Sequence, residues 1–426
     1  MSTSAAVPAP KVDARASLLS LLEDLMRVRA TTVSLCDQLE PEDCVVQSAP
    51  ETSPAKWHLA HTTWFFETFV LQPFVKGYKP FHAEFAFLFN SYYESVGSFY
   101  PRKDRGLLTR PSFASILEYR AHVDERLRLL LGDTSHALID EIITRCTLGL
   151  HHEQQHQELL LTDVKHLFWC NPLRPVYRER AFERPASVAP SRWVECPAGL
   201  YETGHNGEGF SFDNETPRHR SYVEAFRIAS RPVTNGEFVE FIEDGCYGKP
   251  TLWLSDGWQT VQQRRWGAPM YWEQRDGKWW QFTLSGMREI NPAEPVCHVS
   301  YYEADAYARW AGKRLPTETE WEISASGRSQ QGNFFEEGRL HPQACGGDGA
   351  FFGDVWQWTA SAYSPYPGYH PAAGALGEYN GKFMVNQQVL RGGSCVTSQS
   401  HIRPSYRNFF YPHERWQFKG LRLADT

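Results

Sequence analysis

The sequence predicts an α+β chain in two unlike halves, a four-helix bundle over residues 12–170 and a strand-poor, loop-built domain over residues 193–426. Three observations predict it. Up to Cys170, apolar residues recur at helical spacing in four segments. Over residues 171–190 the composition turns to proline and arginine (RPVYRERAFERPASVAP), which reads as a linker, here bounded at 171–192. Beyond it, glycines and aromatics surround short strand candidates.

Residues 1–11 read as a disordered lead. The first helix spans residues 16–39 and carries Leu18, Leu21, Leu22, Leu25 and Val33 on one side. In the second, Ser53 is placed as N-cap and Pro54 in the first turn, and the segment KWHLAHTTWFFETFVL runs to Gln72 before Pro73. A connection over residues 74–109, holding FNSYYESVGSFYPRKDRG, is longer than a link requires, and such loops usually carry function. The third helix covers residues 112–131. The fourth starts at Asp133 or Thr134 and reaches Cys170, with no Gly or Pro after Leu150. Helices joined this way form an up-down bundle, whose interior commonly holds metals on facing side chains. In the second domain the strand candidates are residues 193–194, 222–226 and 279–284, and the helices residues 235–243 and 301–312.

Composition narrows the class. A net charge of -7 without any basic run argues against a nucleic-acid partner. No apolar run approaches bilayer length and the N-terminus lacks a signal-type apolar region, so no membrane partner is expected. Nine cysteines at irregular spacing, without a CxxC pair, fit reduced thiols in the cytoplasm.

The chemistry centres on LHHEQQHQELLL, residues 150–161. His152 and His156 lie one helical turn apart, so both imidazoles share one face and can converge on one ion. Gln154, Gln155, Gln157 and Glu158 surround them with a polar cluster that must face water, a cavity or a partner. A metal needs a third ligand, and His61 on the second helix is the candidate. Residues 152–156 also satisfy the HExxH pattern literally, which keeps a hydrolytic zinc site as a rival.

RPVTNGEFVEFI, HVSYYEADAYARWAGKRLPTETEWE, GDVWQWT and VLRGGSC together resemble the formylglycine-generating-enzyme-like (sulfatase-modifying-factor) domain, a variant of the C-type-lectin fold, over residues 193–424. Those enzymes use a copper-binding cysteine pair where this chain has only Cys395, so that activity is not expected. The bundle, with WHLAH and HHEQQH, resembles a DinB-like metal-binding domain. Fused in this order, the halves resemble the EgtB-type sulfoxide synthases of ergothioneine biosynthesis, non-haem iron enzymes that join a thiol to hercynine.

That resemblance implies Fe(II) held by His61, His152 and His156, with His58 and His151 as neighbours and Glu153 not a proteolytic base. Its substrates would be O2, hercynine, and cysteine or gamma-glutamylcysteine. Tyr92 and Tyr93 match the subgroup that places its proton-donating tyrosine on the bundle side, which favours free cysteine. Gln155 would contact the hercynine imidazole; Asn408, Phe409 and Phe410 would hold its carboxylate and trimethylammonium. Arg102, Arg105, Arg403 and Arg407 are candidate clamps for the thiol substrate's carboxylate. Two relatives with other products remain as alternatives, the 5-histidylcysteine sulfoxide synthases and the selenoneine-type couplers. The former usually carry a methyltransferase domain, for which no room is expected after Leu423. From a different class, a zinc-stabilised lectin-like binding module would show a closed metal site.

Overall fold

Four long helices build the N-terminal half: α1 (Ala14–Ser34), α2 (Ala55–Phe66), α3 (Phe113–Gly132) and α4 (Ile139–Cys170). The computed structural model describes residues 14–133, 135–180, 188, 190–344 and 351–426. The expected lead and part of the expected linker lie outside the described residues. Leu25, Trp64, Val123, Ile142 and Leu161, drawn from all four helices, are fully buried in one core.

The helix ends depart from the spacing for local reasons. α1 stops at Ser34 rather than Leu39. There the Thr31, Thr32 and Ser34 hydroxyls donate to the carbonyls of Arg27, Val28 and Thr31, and side chains of this kind compete with helical bonding. α4 starts at Ile139, because Asp133 instead accepts from the Ser135 backbone and hydroxyl in a turn. Ser53 is not the N-cap of α2; Pro54 holds that place, and Ser53 donates its N–H to Asp163. Nor does Pro73 end the helical path. A π-helical turn, Glu67–Leu71, carries it through Gln72–Phe74.

One glycine sets the distance between the helices that matter most. A Cβ on Gly149 of α4 would lie 2.4 Å from the Phe66 ring of α2, so only glycine permits this approach. His152 follows by less than a turn.

In the second half, strands Trp193–Cys196, Phe226–Ala229 and Ala424–Asp425 form one antiparallel sheet, joining the domain's beginning to its end. A four-stranded sheet runs in the order Asn408–Phe410, Gln388–Arg391, Trp356–Ala362, Lys419–Leu421, its last pair parallel. The hairpin Gly199–Thr203 with His219–Val223 and the meander Trp272–Arg275, Lys278–Thr283, Gly286–Glu289 complete it. The single strand expected over residues 222–226 is the meeting point of two strands in different sheets. Helices Asn235–Glu243 and Tyr301–Trp310 occur as expected, each opened by a capping box, Thr234 with Glu237 and Ser300 with Glu303. Ser255–Arg264 and Glu318–Ala325 are two further helices that the sequence reading did not expect.

The polar cluster of α4 is what docks the halves. Gln154 donates to the Ser398 and Ser400 hydroxyls (2.9 and 2.7 Å). Glu158 accepts from Trp356 Nε1, Ser394 and Thr397 (2.6, 2.9 and 2.7 Å). Lys165 reaches His298 Nε2 at 2.6 Å. Further along the seam, Glu378 accepts the Ser95 N–H (3.0 Å) and Lys382 donates to the Tyr92 carbonyl. Among the described residues, no helix is long and apolar enough to cross a membrane.

Candidate metal centre and adjoining cleft

α2 and α4 face each other across the Gly149 contact, and this brings His61, His152 and His156 together. One ligating atom from each lies within 4.8 Å of the others. All three are buried. Burial pushes each imidazole below its ordinary range, with neighbouring histidines adding to the effect at His61 and His156, and His152 falls to about 4. The rings are therefore neutral at pH 7, with lone pairs to offer.

Each ring is held differently. His61 stacks on Trp57 (4.6 Å between centroids) and Trp64 (5.5 Å), and its Nδ1–H donates to the Phe89 carbonyl at 2.6 Å. That fixes the tautomer and leaves Nε2 free to bind. His156 Nδ1 lies 2.9 Å from His58 Nδ1. His152 Nδ1 is buried with no hydrogen-bond partner among the described residues. A set of neutral imidazoles with an orphaned buried nitrogen fits a divalent transition metal.

Glu153 settles the HExxH question. Its carboxylate points away from the histidines, pairing with Arg29 (2.9 Å) and Arg120 and accepting from Thr32 (2.6 Å). Burial alone would raise its pKa; Arg120 and Arg29 outweigh burial and hold it below the usual carboxylate range. A base locked between two guanidinium groups cannot serve a hydrolytic metal. His151 is likewise turned from the centre, with Nδ1 3.0 Å from His401 and its ring stacked on Phe210.

Next to His156, Gln155 turns into a cleft of about 140 Å³ at the domain seam. Tyr92 and Arg102 reach its wall from the bundle side. Arg407, Asn408, Phe409 and Phe410 reach it from the other domain. Gln155 Nε2 donates to Tyr406 Oη at 2.6 Å, and Arg102 Nη1 to Tyr92 Oη at 3.3 Å. Phe409 stacks on Tyr363, 4.0 Å between centroids.

Other expected residues lie elsewhere or are already engaged. Tyr93 packs behind Tyr92, against Trp64 and Phe69, and burial drives its phenol well up. Arg105 lies 3.3 Å above the Trp57 ring and donates to Ser53; burial brings it down to about 9. Arg403 and Arg407, read as clamps for a substrate carboxylate, face carboxylates of the chain itself. Arg403 pairs with Glu215 and Arg407 forks onto Glu318 at 2.9 and 3.0 Å, so both forks are filled. Phe410 is already covered by a protein amine, since Lys419 Nζ sits 3.5 Å over its ring.

Glu414, Tyr379 and Gln417, which sequence reasoning passed over, also line the cleft. The one available signal was Glu414, a lone acid between the candidate residue Phe410 and Trp416. Two donors of residues that line this wall, Arg102 Nε and Gln417 Nε2, are buried without partners among the described residues.

A buried, neutral three-histidine cluster in the helical bundle, with a polar and aromatic cleft at the seam with the C-type-lectin-like domain, defines a two-domain protein with a candidate metal centre. Residues 24–166 match the DinB superfamily, and residues 179–349 and 338–426 the sulfatase-modifying factor enzyme 1-like domain. The hercynine oxygenase of Mycobacterium tuberculosis is 33% identical over 94% of this chain and 97% of its own. That of Mycolicibacterium smegmatis is 36% identical over 66% of this chain and 71% of its own. A formylglycine-generating enzyme of Streptomyces coelicolor is 31% identical over 54% of this chain and 88% of its own. The chain belongs to the hercynine oxygenase family, the EgtB-type sulfoxide synthases.

Proposed function

We propose that the protein is a non-haem Fe(II), O2-dependent hercynylcysteine S-oxide synthase, forming the carbon–sulfur bond between hercynine and the thiol of free cysteine. The observation that carries the substrate reading is the pair of orphaned donors, Arg102 Nε and Gln417 Nε2, on residues that line a cleft with Gln155, the residue before His156 on α4. Buried donors without partners call for acceptors, and both amino-acid substrates bring a carboxylate. When bound, Fe(II) supplies one-electron chemistry with O2 and a site where thiolate and imidazole meet.

The chain's own groups divide the remaining tasks. Gln155 spends an amide hydrogen on Tyr406, which leaves its carbonyl oxygen to accept from the hercynine imidazole. Asn408 uses Oδ1 on the Phe409 N–H, which leaves its NH2 for the hercynine carboxylate. Phe409 and its aromatic neighbours Tyr379 and Phe383 offer faces to the trimethylammonium, each worth ~0.5–2 kcal/mol. Phe410 supports that wall through Lys419. Arg102 clamps the cysteine carboxylate, with Arg105 reinforcing the positive field. Tyr92 and Tyr93 supply the phenolic proton that steers oxidation toward carbon–sulfur bond formation.

Glu414 favours free cysteine. It is buried, which raises its carboxyl, while Lys419 and then Arg102 pull it back down, and it accepts the Tyr411 N–H through one oxygen. Free cysteine carries an ammonium for it; in gamma-glutamylcysteine that nitrogen is an uncharged amide. The test is anaerobic Fe(II) reconstitution, then oxygen uptake with hercynine and each thiol, separately and together, with products read by mass spectrometry. Uptake requiring both substrates and yielding their sulfoxide adduct is the expected result. Tightly retained zinc with no uptake for any thiol would sink the reading. Glu414→Gln should raise KM for cysteine more than for gamma-glutamylcysteine.

A further inference from the structure

The three histidines of the centre are not equally supported, and the difference has a direction. His61 rests on a backbone carbonyl and His152 Nδ1 has no partner, but His156 begins a chain of buried groups. His58 Nδ1 is 2.9 Å from His156 Nδ1, and His58 Nε2 is 3.1 Å from Asp163 Oδ2. Asp163 is buried and accepts two further N–H groups, Ser53 N at 2.8 Å and Trp416 Nε1 at 3.1 Å. Trp416 belongs to the second domain and lines the cleft.

We propose that His58 and Asp163 are positioning residues that orient His156 toward the metal, and that Trp416 completes the chain from the opposite domain. This rests on the three-histidine metal reading. Hydrogen-bond chemistry then fixes each proton. A His156 that binds through Nε2 carries its hydrogen on Nδ1 and donates it to His58 Nδ1. His58 must then carry its own hydrogen on Nε2, where its partner is the Asp163 carboxylate, which accepts. All donors run one way, from His156 through His58 to Asp163, and Asp163 is kept an acceptor by Ser53 and Trp416.

Two consequences separate this from packing. First, Asp163→Asn keeps the shape but brings an NH2 group among three N–H donors, so one link must reverse or break. Second, a substitution in the lectin-like domain alters a metal site built wholly on the bundle.

The experiment measures Co(II) and Fe(II) affinity by chelator competition on anaerobic apo-protein, with the Co(II) absorption bands as a second readout. Folding of each variant is checked by circular dichroism and melting. Asp163→Asn should bind about 10–100-fold more weakly, the range for losing a group that orients a ligating histidine, with shifted Co(II) bands. Trp416→Phe, which keeps the ring packing and removes only the N–H, should show a smaller change of the same kind; it decides the matter if Asp163→Asn does not fold. Affinity and bands at wild-type values in the folded variants overturn the proposal. His152→Ala is the control: if it loses metal while Asp163→Asn and Trp416→Phe do not, the chain alone is refuted. If His152→Ala keeps the metal at full affinity, the three-histidine reading falls first.

Discussion

Glu153→Gln removes a charge and almost no volume, and the structure fixes what should follow. The wild-type carboxylate is fully buried between Arg29 and Arg120, which are buried as well. Breaking such a pair from one side destabilises by about 3–5 kcal/mol, because buried charge is left uncompensated. Arg29 keeps a second acid, Asp124, while Arg120 keeps only carbonyl and hydroxyl acceptors, so the lower end, ~3 kcal/mol, applies. That is roughly a hundredfold in the folding equilibrium. Because Glu153 titrates below its unfolded value, its contribution is present at neutral pH and lost as pH falls past the carboxylate range, so wild type and variant should converge in acid. Urea melts at pH 7 and in acid well below the carboxylate range, with metal content measured in parallel, make the assay. The variant should be less stable yet still bind metal through its intact histidines. A variant of wild-type stability that had lost a hydrolytic activity would refute this account and revive the HExxH reading.

Three further outcomes are expected. Tyr92→Phe and Tyr93→Phe should each keep iron while diverting product from sulfoxide toward sulfinic acid, and unchanged sulfoxide yield in both would remove the tyrosines from the chemistry. Lys419, lowered by burial to about 7, binds a proton more readily unfolded than folded. Wild-type stability should therefore rise between pH 7 and pH 10, and any advantage of Lys419→Met should shrink over that window in pH-dependent melts. Gly149→Ala gains helix propensity worth ~1 kcal/mol but drives a methyl into Phe66, which is fully buried and cannot yield. Overpacking of ~1–3 kcal/mol should win, and metal affinity should fall with it as α2 and α4 separate.

The elements that were legible in the sequence are those whose signal is local. His152 and His156 announce themselves by spacing along one helix, and Thr234 and Ser300 by the side chains they set three residues before a glutamate. His61 needed a different argument, from clustering and family resemblance, because a histidine among Trp57, Trp64 and Phe65 looks like core. The fates of Arg403 and Arg407 were not legible. Their partners Glu215 and Glu318 are remote in the chain, and nothing local distinguishes an arginine held by such a partner from one facing a ligand. Lys419 over Phe410 was hidden for the same reason: the contact exists only once the edge strand Asn408–Phe410 and the strand Lys419–Leu421 fold into one sheet. Tyr379 and Phe383 lie in EYNGKF, where Glu378–Gly381 forms a single helical turn, too short for a period to be read from the sequence.

The way α4 is docked bears on how the two halves can be handled and inherited. Gln154, Glu158 and Lys165 lie buried on a bundle helix, and partners in the other domain serve all three. A truncated bundle would expose or strand those groups, and its surface would be one written for a missing neighbour. Exchanging either half with that of a distant relative should fail unless Trp356, Ser394 and Thr397 travel with Glu158. The boundary at the linker thus divides the polypeptide into two ancestries but a single heritable unit.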